Sequence, residues 1–132
     1  MSAAVRYYSR SGNTKLLAEA IAKGAGVTAV SADAPDAALA EPVDVLFIGG
    51  ALYAYGLDKN LKNYLKSFDP SKAKKAVVFS TSWISRHALD LIANSLKSKN
   101  IPVEKEVFYA KGRPDDVTLK KAEEFGARMA GK

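Results

Sequence analysis

The sequence predicts an α/β fold: a three-layer sandwich in which helices cover both faces of a five-stranded parallel sheet with the strand order 2-1-3-4-5. Apolar residues alternate between short continuous runs and stripes at helical spacing, which is typical of strand-helix-strand units. Three of the apolar runs contain almost no polar residue, as expected of strands that are buried on both faces. We expect the 132 residues to form a single domain, residues 1–132.

The first strand, first helix and second strand are predicted from the N-terminal quarter of the chain. The run AAVRYY (residues 3–8) predicts the first strand. Leucines and alanines then recur at helical spacing until Gly24 and Gly26, which indicates a helix of about three turns. The segment VTAVSA (residues 27–32) predicts a short second strand, and its polar residues suit the edge of a sheet. An Ala/Asp/Pro-rich connection with room for one helical turn follows it.

Two buried strands are predicted in the middle of the chain. VDVLFIGG (residues 43–50) is the most apolar segment and predicts the third strand, and KAVVFST (residues 75–81) predicts the fourth. A helical stripe of leucines and aromatics between them ends near Asp69 and Pro70, because proline disfavours helical backbone in the residue before it. Another stripe of apolar residues, 89–96, predicts the helix that follows the fourth strand.

The last strand and helix complete the predicted order. IPVEKEVFYA (residues 101–110) predicts a fifth strand, and its internal charges place that strand at a sheet edge. The final helix is predicted from about Pro114 to Ala130, with the proline in its first turn. With the second and fifth strands at the edges, the order 2-1-3-4-5 keeps every parallel crossover right-handed.

Composition excludes several classes of protein. The chain has no cysteine, which excludes disulfides, thiolate metal centres and cysteine nucleophiles, and a cytoplasmic location is the simplest expectation. The start of the chain lacks the pattern of a secretory signal, and no segment reaches the roughly 18 apolar residues of a membrane span. The aspartates are too scattered to predict a metal site.

The formal net charge of +6 is concentrated in the C-terminal half of the chain. Such an excess attracts acidic protein surfaces or other polyanions, although solvated lysines on helix faces also explain it. We expect no nucleic-acid binding, because no basic stripe interleaved with aromatic residues is present.

Six small or polar residues connect the first strand to the first helix: Ser9, Arg10, Ser11, Gly12, Asn13 and Thr14. In a sheet of this order, the carboxyl ends of the first and third strands border a crevice. The unpaired N–H groups at a helix start favour an anion, and Gly12 lets the backbone curl around it. The side chains of Ser9, Ser11, Asn13 and Thr14 add uncharged donors. The loop therefore predicts a phosphate-monoester site, with ordinary helix capping as the alternative.

This loop resembles the FMN-phosphate loop of flavodoxins, Ser/Thr-x-Ser/Thr-Gly-Asn/Thr-Thr, at every defining position. The resemblance covers essentially the whole chain, since DVLFIGGALYAYGLDKNLKNYL and AVVFSTSWISR resemble the family's third and fourth strands with their flavin loops. The form IGGALYAYGLDKNLKNYLKSF is especially similar to small flavodoxin-domain proteins related to menaquinone-dependent protoporphyrinogen oxidases. The resemblance implies a flavodoxin-like fold and non-covalently bound FMN.

Two further loops follow central strands and suit the flavin ring. Residues 49–56 place Tyr53 and Tyr55 between glycines, and residues 80–85 contain Trp83, the only tryptophan. Aromatic side chains suit the apolar faces of an isoalloxazine, and backbone groups suit its polar edges, although packing under the loops is the alternative role for these aromatics. The candidate ring-binding residues are Gly50, Ala51, Leu52, Tyr53, Ala54, Tyr55, Gly56, Ser80, Thr81, Ser82 and Trp83.

The resemblance also implies a loop that responds to the flavin's redox state. In flavodoxins, a peptide of the second loop changes orientation when the flavin takes up a proton at N5. Gly50 and Gly56 are the candidates for that flexibility.

We expect an electron carrier that shuttles electrons between redox partner proteins, because no nicotinamide-binding second domain is evident. Two alternatives remain open: a flavin-dependent reductase or oxidase module that acts on a quinone or porphyrinogen, and a flavodoxin-like binding module that has lost FMN. Typical flavodoxins are acidic, whereas Lys59, Lys62 and Arg86 follow the second and third loops of this chain. We therefore expect a less negative reduction potential and partners with acidic surfaces.

Overall fold

The computed structural model describes residues 2–53, 56–82 and 85–131. Its strands are β1 (Ala3–Tyr7), β2 (Ala29–Ser31), β3 (Val43–Tyr53), β4 (Gly56–Leu57), β5 (Ala73–Thr81) and β6 (Phe108–Ala110). Its α-helices are α1 (Asn13–Ala25), α2 (Lys59–Ser67), α3 (His87–Lys97) and α4 (Asp116–Met129). A short 3-10 helix, Pro70–Lys72, precedes β5.

The strands form a parallel sheet in the order β2-β1-β3-β5-β6, which confirms the predicted order 2-1-3-4-5. The short strand β4 is additional, and it pairs antiparallel with the end of β3. In the centre of the sheet, Val5 of β1 lies opposite Phe47 of β3, which lies opposite Val77 of β5. The chain leaves β1 and β3 in opposite directions along the sheet, so a crevice forms where their carboxyl ends meet.

Helices cover both faces of this sheet, and the alternation along β3 shows how. Val45 and Phe47 pack on the face covered by α1 and α4, whereas Leu46 and Ile48 pack on the face covered by α2 and α3. All four side chains are fully buried. A strand between two apolar layers needs apolar residues at every position, which explains the continuous run in the sequence.

The helices α1 and α4 approach each other through two glycines. A Cβ built on Gly24 would lie 1.8 Å from the carbonyl oxygen of Glu123, and one built on Gly126 would lie 2.1 Å from the carbonyl oxygen of Ile21. Both distances are far below van der Waals contact. The backbones therefore come this close only because neither glycine has a side chain, and this contact fixes the position of α4 on the sheet.

The edge strands are shorter than predicted. The second strand covers only Ala29–Ser31, and the fifth covers only Phe108–Ala110. The earlier part of the predicted fifth strand contributes a single parallel bridge between Ala76 and Val103. Three consecutive charged residues, 104–106, follow that bridge and interrupt the pairing.

Helix α4 begins two residues later than predicted. The Asp115 side chain accepts the N–H of Thr118 at 2.8 Å and so forms the N-cap of a helix that starts at Asp116. Pro114 therefore lies before the cap rather than in the first turn.

The connection after β2, residues 32–42, contains turns but no regular helix. Its Ala37 carbonyl accepts from Arg6 Nε at 2.7 Å and from the Tyr64 hydroxyl at 2.9 Å. These two buried donors hold the connection against the sheet and α2. None of the helices within the described ranges has the length and apolar character that a bilayer crossing requires.

Candidate functional site

A cavity of about 290 Å³ lies at the carboxyl edge of the sheet, where β1, β3 and β5 end. Its described wall residues are Ser11, Asn13, Ala51, Leu52, Tyr53, Thr81, Ser82 and Gly112. All of them except Gly112 are candidate site residues predicted from the sequence. The three predicted loops therefore meet at one cavity, in the crevice that this strand order creates.

The first loop forms a compact turn that opens α1. Gly12 is the N-cap residue and has φ of 94°, a left-handed conformation that side-chain-bearing residues rarely adopt. Its N–H donates to Ser9 Oγ at 3.0 Å, and the N–H of Asn13 donates to Ser11 Oγ at 3.4 Å. Because Ser11 and Asn13 line the cavity, the positive end of α1 borders it.

The start of α1 differs in charge from the starts of α2 and α4. Helices α2 and α4 begin with aspartates, Asp58 and Asp115, whose carboxylates accept backbone N–H groups of the first turn. A carboxylate in that position repels a second anion. Helix α1 has no side-chain cap at Gly12 and no acidic residue in its first turn. No carboxylate therefore opposes an anion at this helix start, which fits a phosphate monoester without a cation.

Thr14 points into the core instead of into the cavity. It is 1% exposed, and its Oγ1 lies 2.6 Å from Oγ1 of Thr81. This hydrogen bond joins the start of α1 to the end of β5, so it fixes the first and third loops relative to each other. Thr81 in turn contributes to the cavity wall.

The second predicted loop is largely strand. β3 extends to Tyr53, so Gly50 lies inside the strand and not in a flexible loop. Gly50 is buried, and a Cβ built on it would lie 2.4 Å from Leu61 Cδ2 of α2. Gly56 belongs to β4 and pairs with Tyr53. The two glycines predicted to give flexibility are thus both in paired strands.

Ala51, Leu52 and Tyr53 at the end of β3 line the cavity. Ala54 and Tyr55, which the sequence also predicts as ring-binding residues, lie outside the described residues. The described part of this segment therefore offers one aromatic side chain, Tyr53, to a ligand.

The Arg10 side chain forms a cluster with Tyr53 and Asp58. Its Nε and Nη2 lie 2.7 and 2.6 Å from Asp58 Oδ2. The guanidinium carbon lies 4.0 Å from the centre of the Tyr53 ring. The backbone N–H of Arg10 also donates to the Tyr53 hydroxyl at 3.0 Å. The cluster thus links the first loop to the end of β3 and the start of α2.

The two charged groups of this cluster differ in burial, and Asp58 is the buried one. The Asp58 side chain is 7% exposed, whereas that of Arg10 is 54% exposed. Burial raises the pKa of Asp58, but hydrogen bonds from Asn60 and Arg10 lower it more, so the pKa lies below its usual value. Burial raises the pKa of the Tyr53 phenol, which therefore stays protonated near neutral pH.

In the third loop, Ser80 is fully buried in β5, whereas Thr81 and Ser82 line the cavity. The Tyr109 hydroxyl donates to the Ser82 carbonyl at 2.7 Å, and the Arg86 guanidinium lies 5.2 Å from the centre of the Tyr109 ring. Strand β6 thus supports this loop from the side. Trp83 lies outside the described residues.

Gly112 is the wall residue that sequence reasoning missed. It is buried and lies between the exposed residues Lys111 and Arg113, directly after β6. The carboxyl ends of parallel strands share one edge of the sheet, so the loop after the fifth strand was a candidate by position. A glycine after the last predicted strand was the feature of the sequence that could have indicated this wall residue.

A larger cavity, about 680 Å³, lies between α1 and α4. Its wall carries mainly charged helix residues, including Glu19, Lys23, Glu123 and Glu124, and none of the described residues of the three predicted loops lines it. It is a groove between two packed helices, without the convergence of loops that marks the smaller cavity. We therefore assign the candidate site to the smaller one.

Comparisons with known proteins agree with this architecture. Residues 4–123 match the model of a family described as the flavodoxin domain. No curated protein matches the chain. Among solved structures, a flavodoxin from the domain Archaea superposes with a TM-score of 0.85 at 24% identity, over 98% of this chain and 96% of that one.

Two further solved structures are similar. Oxidised flavodoxin 1 from Bacillus cereus has a TM-score of 0.75 at 22% identity, over 96% of this chain and 95% of that one. A flavodiiron core from Synechocystis sp. has a TM-score of 0.75 at 26% identity; the match covers 97% of this chain but 34% of that one. The family match spans most of the chain, and the described strands have the order expected of this fold. The chain therefore belongs to the flavodoxin domain family.

Proposed function

We propose that this chain binds FMN non-covalently and transfers electrons through it. The proposal rests on the cavity at which the ends of β1, β3 and β5 and the start of α1 converge. A volume of about 290 Å³ is close to the lower end of the roughly 300–1,000 Å³ typical of small-molecule sites. We expect part of a bound ring to stay accessible to a redox partner.

The first loop would hold the phosphate. Its backbone N–H groups and the positive end of α1 favour an anion, and the side chains of Ser11 and Asn13 border the cavity. Ser9 and Ser11 act mainly on the loop itself, because their hydroxyl oxygens accept N–H groups of Gly12 and Asn13. Thr14 and Arg10 position the loop through Thr81 and Asp58.

The other segments would hold the ring. Ala51 and Leu52 provide apolar surface, Tyr53 provides an aromatic side chain, and Thr81 and Ser82 provide polar groups. The flavin, when bound, supplies the electron-transfer chemistry, and these residues bind and orient it. The remaining predicted ring contacts, Ala54, Tyr55 and Trp83, stay predictions.

The partner is proposed to be a redox protein with an acidic surface, and the setting to be the cytoplasm. Lys59 and Lys62 on α2, Arg86 before α3, and Lys111 and Arg113 after β6 are all exposed on segments that border the cavity or adjoin its wall. Cations in this arrangement attract an acidic partner and stabilise added negative charge on a flavin. The net charge of +6 supports both effects.

The test is a visible spectrum of the FMN-reconstituted protein through stepwise reduction, combined with an NAD(P)H oxidation assay. An electron carrier gives a reversible flavin spectrum and little NAD(P)H turnover without a partner protein. Robust turnover by the isolated protein would favour the reductase or oxidase alternative. A protein that leaves the column free of flavin and cannot be reconstituted would favour the binding-module alternative.

A further inference from the structure

We propose that Arg10 is a positioning residue that braces Tyr53 against the flavin ring, although its place in the sequence is in the phosphate loop. The proposal rests on the proposed function, because the ligand is the flavin. It assigns to Arg10 a role in the ring half of the site, which the loop motif does not indicate.

The Arg10 guanidinium lies against the Tyr53 ring. Arg10 has no part in the described cavity wall, whereas Tyr53 does. The guanidinium carbon lies 4.0 Å from the centre of the Tyr53 ring, which is face-on contact. The Arg10 backbone N–H simultaneously donates to the Tyr53 hydroxyl at 3.0 Å. Arg10 therefore fixes both the plane of this ring and the position of its hydroxyl group.

Asp58 fixes the position of the Arg10 side chain. Asp58 is buried and caps α2 by accepting the Asn60 N–H at 2.7 Å. A buried carboxylate needs a charged or hydrogen-bonding partner, and Arg10 provides two donors at 2.6 and 2.7 Å. Helix α2 is itself held against the sheet where Leu61 lies over Gly50. The position of the guanidinium is thus set by the fold and not by the ligand.

Arginine suits both of these contacts at once, and lysine does not. A guanidinium is planar, so it can stack on a ring while its edge donates to a carboxylate. A lysine ammonium keeps the charge and can reach Asp58, but it cannot stack in this way. The Arg10→Lys variant therefore separates the ion pair from the stacked contact.

The experiment compares FMN with riboflavin, which has the same ring but no phosphate. Affinities of both flavins are measured by fluorescence quenching for the wild type, Arg10→Ala, Arg10→Lys, Tyr53→Leu and the double variant Arg10→Ala/Tyr53→Leu. Lys66→Ala, which removes an exposed cation from the far end of α2, is the control for charge. Thermal unfolding of each variant checks that it is folded.

If Arg10 acts through Tyr53, Arg10→Ala weakens FMN and riboflavin by the same factor, about five- to tenfold. Arg10→Lys weakens both by a smaller factor, so it tests the stacked contact even where the alanine variant is poorly folded. Arg10→Ala causes no further loss of flavin affinity when Tyr53 is already leucine, because the tyrosine ring that Arg10 contacts is then absent. Lys66→Ala leaves both affinities unchanged.

Two results would overturn the proposal. A loss confined to FMN would make Arg10 a phosphate ligand, and unchanged affinities for both flavins would leave it with no role in the site. The failure of the proposed function looks different, because the wild type itself would then bind neither flavin.

Discussion

Gly12 has a backbone that L side chains avoid, at the point where α1 meets the cavity. A Cβ built on it meets no atom within 4 Å, so the cost of Gly12→Ala comes from φ of 94° and not from a clash. We expect a loss of stability of roughly 1–2 kcal/mol in urea unfolding, because the left-handed region is strained for alanine. We also expect weaker FMN binding, because the loop backbone must shift.

Gly26 provides a matched control for this variant. It caps the other end of α1 with φ of 77° and lies far from the cavity. Gly26→Ala should cost a similar free energy of unfolding while FMN affinity stays at the wild-type value. Equal loss of FMN affinity in both variants would show that the effect at Gly12 is merely lost stability.

Asp58 gives a prediction about pH. Its pKa in the folded protein is lowered, so its contribution to stability is fully present above the unfolded pKa and is lost as the pH falls through the folded pKa. Asp58→Asn retains an N-cap side chain but removes the charge that pairs with Arg10. We expect the variant to be less stable than the wild type at pH 7 and the difference to shrink below about pH 4.

The measurement is denaturant unfolding of both proteins at a series of pH values. Other carboxylates with lowered pKa values, such as Asp44 and Glu106, are present in both proteins and cancel in the comparison. A difference that stays constant from neutral to acid pH would show that the charge of Asp58 is irrelevant to stability.

Some features of single residues can be predicted from the sequence and others cannot. The loop motif predicts Ser11 and Asn13 as site residues, and both line the cavity, because their positions follow from a local turn and a helix start. The direction of the Arg10 side chain depends on Asp58, a residue far along the chain that reaches it only through the fold. No local pattern carries that information.

At the scale of elements, the packing of α1 on α4 depends on glycine. Alanine usually improves a helix interior by up to about 1 kcal/mol relative to glycine. At Gly24 and Gly126 the added Cβ would lie 1.8 and 2.1 Å from carbonyl oxygens of the facing helix. We therefore expect Gly24→Ala and Gly126→Ala each to destabilise the fold by about 1–3 kcal/mol or more, since the helices must separate.

Asn94→Ala, at an exposed position of α3, is the control and should be neutral or slightly stabilising in the same unfolding assay. Glycine-to-alanine variants with wild-type stability or better would mean that the close helix crossing does not exist in solution.

The central strands could be predicted from the sequence more accurately than the edge strands. β1, β3 and β5 are buried on both faces, so their apolar runs identify them and their order. The edge strand β6 is short and follows a charged segment, so its pairing depends on tertiary contacts more than on pattern. The extension of β3 to Tyr53 depends on pairing with β4. The sequence did not predict this pairing, because glycines in the segment indicated a loop.

At the scale of the whole molecule, the positive charge should tune the flavin and select the partner. Lys62 is exposed, and its Nζ would lie 3.6 Å from a Cβ built on Gly56, which pairs with Tyr53 at the proposed ring site. Lys62→Glu should make the reduction potential of the fully reduced couple more negative, because an added negative charge opposes reduction. A redox titration at low and high salt measures this shift, which should shrink as salt screens the charges.

Lys97→Glu is the matched control, because Lys97 is exposed in the last turn of α3, away from the strand carboxyl ends. It changes net charge by the same amount but should leave the potential near the wild-type value. Equal shifts in both variants would show that net charge acts without regard to position.

A titration of FMN with the protein, followed by flavin fluorescence, tests the proposed flavin site most directly. We expect saturable quenching at one FMN per chain with micromolar or tighter affinity, because Tyr53 and the loops around the cavity are proposed to contact the ring. FMN emission that stays at the free-flavin value with the protein in excess would contradict the proposed site.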